Sequence, residues 1–171
     1  MFFLKLLQSL VKTLNSEGTP RQIAAGLALG AALGLTPIAN LHNLVVFALA
    51  CLLNVSFGAF LLGWSLFVPL GFILDPLFHR IGLALLDAPA LTGFWTALYN
   101  TPVVPLTNFN NSVVLGSFVG WVALWLPMFF LFKWLVVKYR EKVYERIKKT
   151  KFFQVLAASK LYSYYRMLFI G

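Results

Sequence analysis

The fold is decided at TPIANLHNLVV, residues 36–46, where a proline, two asparagines and a histidine interrupt an otherwise apolar run. The phrase returns at residues 105–114, which align without gaps to residues 37–46. Both copies read Pro-φ-x-Asn-φ-(His/Asn)-Asn-x-Val-Val, with φ an apolar residue. Each follows a short stretch of helical character, 20–35 or about 89–99. Each precedes enough apolar sequence for a return arm and then a full span, about 55–74 and 121–137. The expected architecture is therefore all-α with two repeats.

Composition places these repeats in a bilayer. The 171 residues are 60% hydrophobic and 11% charged, with a mean hydropathy of +0.83, well outside the range of soluble domains. Gln22–Leu74 and Ala88–Phe132 contain no Asp, Glu, Lys or Arg, and each is long enough for at least one crossing of about 20 residues. One membrane domain, 1–171, is expected: an interfacial helix 1–18, repeat 1 over 19–74, a connector 75–88, repeat 2 over 89–137, and a basic amphipathic tail 138–171. Lys5, Lys12 and Arg21 precede the first apolar block, and Lys138, Arg140 and Lys142 begin a basic run after the second. Lys/Arg flanks mark the cytoplasmic side, so both termini are predicted inside and 75–88 periplasmic. The net charge of +9 is read as topology and headgroup contact rather than nucleic-acid binding. Cys51 is read as a small buried hydrophobe.

Cap-then-proline pairs at Thr19-Pro20, Thr36-Pro37 and Asp75-Pro76 predict helix starts near 20, 37 and 76, with Pro105 preferred to Pro102 for a fourth. The first helix, Pro20–Leu35, is short for a span and carries Gly26, Gly30 and Gly34, spaced to let another helix approach closely. Two topologies keep both termini inside. Either each block crosses twice, or each is a re-entrant hairpin plus one crossing, giving inverted repeats whose tips meet near the bilayer centre. The non-basic connector and the short first helix favour the second.

In that arrangement Pro37 and Pro105 each open a helix pointing inward, and its free N–H groups favour an anion. Asn40 with Asn43, and Asn108 with Asn111, would share one face of a first turn. The expected substrate-binding set is Thr36, Pro37, Asn40, His42, Asn43, Pro105, Asn108, Asn110 and Asn111. Amides donate to phosphate oxygens without burying a charge. The same amides also suit a plainer role as hydrogen-bonded glue between helices. Asp75 and His79, four apart, look catalytic in isolation, but Asp75 is read as a cap. No nucleophile-and-base pair, metal-ligand spacing or nucleotide loop stands out, so neither catalysis nor a cofactor is expected.

The run EGTPRQIAAGLALGAALGLTPIANLHNLVVFALACLLN, with Thr19-Pro20, the three glycines, Pro37, Asn40/His42 and Asn54, resembles the small bacterial membrane proteins grouped as domain of unknown function 2062. The family's Asn-Pro is Asp75-Pro76 here, a departure. The resemblance implies a Gram-negative inner-membrane protein. Some relatives sit beside AsmA-like bridge-type lipid-transfer proteins, which implies a part in envelope lipid traffic. The hairpin-and-span plan is also similar to that of DedA-type lipid translocases in architecture alone. The functional expectation is translocation of an anionic phospholipid, or its transfer to an AsmA-like partner. The alternative is a scaffold that anchors an envelope protein. The oligomeric state is not encoded in any motif.

Overall fold

A computed structural model describes residues 18–37 and 40–144. The expected interfacial helix 1–18, apart from Gly18, and most of the tail 138–171 lie outside the described residues. The described elements are helical: α1 (Pro20–Leu35), α2 (Leu41–Leu52), α3 (Phe57–Leu86), a 3₁₀ turn (Pro89–Leu91), α4 (Thr92–Tyr99), a second 3₁₀ turn (Val104–Thr107), α5 (Ser112–Lys138) and a π-helical continuation (Tyr139–Tyr144).

Helix α1 begins where the local chemistry requires. Thr19 Oγ1 accepts from Gln22 N, and Gln22 Oε1 accepts from Thr19 N, so two orphan donors are satisfied reciprocally around Pro20. Twelve of its 16 residues are buried, which makes α1 the central helix, apolar on all sides. Helix α2 runs back along α1. Val46 and Ala50 pack against Leu29, Ala32 and Leu33 over Phe60. The hairpin is tied at its open end by Gln22 Nε2 donating to Asn54 Oδ1 (2.7 Å) and Ser56 N donating to Gln22 O (3.1 Å).

Helix α3 then runs parallel to α1. Gly26 lies against Ser56 and Ala59, Gly30 against Phe60 and Trp64, and Gly34 against Trp64 and Phe67. A Cβ on Gly30 would sit 2.7 Å from Trp64 N and closer still to Phe60 O, so these two backbones touch. Because Leu35 lies beside Gly71, the hairpin reaches only the middle of α3. Helix α5 returns antiparallel to α3. Gly82 faces the Ser112 backbone, Gly116 faces the Phe78 carbonyl, and Val136 closes on Ile23, Leu27, Ala59 and Leu62 at the other end.

Several expectations are corrected. Asp75-Pro76 starts no helix: Pro69 and Pro76 both lie inside α3, which continues past the expected end at 74 to Leu86. The apolar sequence on either side of Pro76 keeps the helix intact at the cost of one lost main-chain bond. Pro37 precedes α2 by four residues, with Asn40 in the N-cap position. Pro105 lies in a single 3₁₀ turn, and the following helix opens at Ser112. The second block also lacks a return arm, since α5 is continuous from Ser112 to Lys138. The reason is local. Asn54 ties the first hairpin and Ser56 Oγ caps α3 by accepting from Ala59 N; the aligned positions, Val122 and Leu124, can do neither. Cys51 is exposed rather than buried.

Candidate functional site

The two copies of the repeated phrase meet. Asn108 Nδ2 donates to Asn40 Oδ1 at 2.8 Å, and these residues are aligned partners in the two copies. They come from opposite ends of α3. The hairpin carrying Asn40 is tied at Ser56, while the 87–111 segment carrying Asn108 is tied by Trp95 Nε1 donating to Leu85 O (2.9 Å).

Each tip is held by its own amides. Thr36 Oγ1 donates to Ala32 O (2.8 Å) and to Asn43 Oδ1 (2.6 Å), two acceptors that compete for its single proton. Asn43 Nδ2 donates to Pro37 O at 2.6 Å, and Asn40 Nδ2 donates to the same carbonyl. Thr36 and Asn43 are buried, which makes them the internal brace of the first tip. In the second tip Asn108 is left-handed (φ 54°), its carbonyl accepts from Asn111 N, and Asn111 Oδ1 caps α5 by accepting from Val113 N (2.9 Å) and Val114 N (3.3 Å). Asn108 and Asn111 therefore do not share a helical turn. Asn tolerates the left-handed region better than most residues, which suits it to this turn.

Between the tips lies a cavity of about 530 Å³ lined by Pro37, Asn40, Asn108, Asn110, Asn111 and Val114. It unites five of the nine expected binding residues. Asn43 and Thr36 stand behind it as bracing. His42 packs its ring on Phe118 (centroids 5.4 Å apart), and Nε2 is buried without a partner among the described residues. Pro105 belongs to the 3₁₀ turn behind Asn108. No charged side chain lines the cavity among the described residues, and none of their His, Cys, Asp and Glu side chains cluster as a metal site. Gly26, Gly30 and Gly34 are occupied by α3.

The sequence reading missed Ser112. Its Oγ lies 2.6 Å from His79 Nδ1, a bond that joins α5 to α3 where Gly82 lets the backbones meet. A lone Ser beside the Asn run gave no signal, because its partner is 33 positions away.

The chain belongs to a bacterial family: residues 4–145 match the model described as "Uncharacterized protein conserved in bacteria (DUF2062)". A protein of Treponema pallidum (strain Nichols), described as "Uncharacterized protein", is 30% identical over 153 residues, spanning 88% of this chain and 93% of its own. No solved structure matches.

Proposed function

We propose that this is a membrane protein that holds a phospholipid headgroup at the amide-lined junction of its two tips, as a step in envelope lipid traffic. Two helices, Phe57–Leu86 and the one starting at Ser112, are long and apolar enough to cross a membrane. Their most apolar stretches are only 28% and 22% buried, and Phe72, Ile73, Phe130 and Trp134 stand exposed as lipid would require. The hairpin α1–α2 enters from the end marked by Arg21, Lys138 and Arg140, the cytoplasmic face by the positive-inside rule, and the 87–111 segment enters from the other. Irregular backbone at such depth is tolerated where it lines a polar cavity. Neutral amides offer donors to phosphate oxygens there.

The observation that carries this reading is the Asn40–Asn108 contact in a cavity lined by four asparagines with Pro37 and Val114, and by no charged side chain among the described residues. The lipid would then be moved across the bilayer or handed to an AsmA-like bridge-type protein. The alternative, a scaffold that anchors an envelope protein, would rest on the cytoplasmic tail, since α3 covers the glycines. The test is lipid transfer between vesicles containing the reconstituted protein. Asn40→Leu with Asn110→Leu should abolish transfer while leaving the brace residues Asn43 and Asn111 untouched. Unchanged transfer by the folded double variant would remove the site.

A further inference from the structure

The amide cavity does not end at Asn110. The same residue lines a second cavity of about 310 Å³, walled by Leu86, Trp95, Tyr99 and Phe109. Three aromatic side chains thus surround one space. Phe109 stacks on Trp95 (centroids 5.9 Å, planes 22° apart) and meets Tyr99 edge-on (6.5 Å, 69°). Trp95 is fixed by its bond to Leu85 O. No Lys, Arg, Asp or Glu lines this cavity among the described residues, and exposed Asp87 directly follows its wall residue Leu86.

We infer that the headgroup held here is zwitterionic, an ethanolamine or choline phospholipid, with its phosphate against the Asn40/Asn108/Asn110 amides and its ammonium among Trp95, Tyr99 and Phe109. This rests on the amide cavity being a headgroup site and names the class that fits it. Aromatic faces carry negative charge density that attracts ammonium groups, and grouped rings form the usual cage for such cations. Amides supply donors for the phosphate. A lining with no net charge matches a headgroup with no net charge. A phosphatidylglycerol phosphate would bring one negative charge to a site with no cation to meet it. The sequence reading expected an anionic lipid, and the aromatic wall is what redirects it.

The test is native mass spectrometry of the full-length protein released from micelles containing equal amounts of phosphatidylethanolamine, phosphatidylcholine and phosphatidylglycerol. The two zwitterionic lipids should exceed phosphatidylglycerol in bound adducts by about tenfold, in the middle of the range for a partly desolvated cation–aromatic contact. Tyr99→Leu with Phe109→Leu should erase the preference, and Tyr99→Phe should keep it. Exposed Tyr99→Leu alone should reduce the preference and serves if the double variant does not fold. Equal or stronger phosphatidylglycerol binding overturns the inference, as does a preference that survives loss of the rings. Adducts indifferent to Asn40→Leu with Asn110→Leu, or no adducts at all, would instead overturn the amide site itself.

Discussion

Replacing Gly30 by alanine tests the backbone contact that sets the whole packing. Alanine favours a helix over glycine by about 1 kcal/mol, so on propensity alone the change stabilises α1. The structure reverses the sign. The added Cβ would lie 2.7 Å from Trp64 N and 2.9 Å from Phe60 C, against an ordinary contact of at least 3.4 Å. The obstructing atoms are backbone atoms of α3, so no rotamer change relieves them. Trp64 N alone would require α1 and α3 to separate by about 0.7 Å, and Phe60 O, closer still, requires more, while α5 holds the other side through Trp121 Nε1 donating to Ala28 O. Overpacking of this kind costs about 1–3 kcal/mol, so against the propensity gain the net loss is about 0–2 kcal/mol. Gly93→Ala is the internal control, because Gly93 also lies in a helix but has nothing within 4 Å of its would-be Cβ. It should gain about 0.5–1 kcal/mol. Both variants are measured by SDS titration of the dodecylmaltoside-solubilised protein, followed by far-ultraviolet circular dichroism. A Gly30→Ala protein as stable as Gly93→Ala would refute the α1–α3 contact.

Asn111→Ala removes the α5 cap and should cost about 1 kcal/mol in the same titration, whereas Asn110→Ala should leave stability unchanged within about 0.5 kcal/mol. Ser112→Ala deletes the bond to His79 and should cost about 0.5–1.5 kcal/mol; His79→Phe on top of it should add little if the pair acts as a unit, which a double-mutant cycle measures. In a Cys51→Ser background, Asp87→Cys in intact cells should react with a membrane-impermeant maleimide. Gly18→Cys should react only after permeabilisation. Labelling of both from outside would reject the proposed topology.

How far the sequence could be read depends on how local each signal is. Thr19-Pro20 and Gln22 complete a capping box within four residues, so α1 is legible to the residue at both ends. Asp75-Pro76 has the same spelling without the same outcome. A proline after a cap residue looks alike at a helix start and inside a long helix, and only tertiary packing separates the two. The repeated phrase pointed to the right partners, since Asn40 and Asn108 touch. The second copy's apolar run spells a return arm and a straight helix equally well. The differences at Val122 and Leu124, opposite Asn54 and Ser56, decide that the helix runs on. The aromatic cavity was illegible because Trp95, Tyr99 and Phe109 converge through a left-handed turn at Asn108 and a positive φ of 73° at Val103, neither encoded by a glycine.

The length of α3 has a consequence for where the cavity opens. Thirty residues rise about 45 Å, some 15 Å more than a hydrocarbon layer is thick. Asp75, His79, Arg80 and Asp87 all belong to its second half or lie just past its end, and residues 57–74 hold no charge, so the surplus belongs at that second end. Gly71, beside which the first tip turns, is then about 21 Å along the helix from Phe57, and Gly82, beside which α5 begins, is beyond the acyl chains. In the proposed membrane placement the amides would therefore lie between those two depths, in the outer half of the bilayer and not at its centre. Under the proposed function a lipid already in the outer leaflet would then reach the amides by lateral diffusion, without turning over, and the protein would serve as a docking berth for cargo about to leave the membrane.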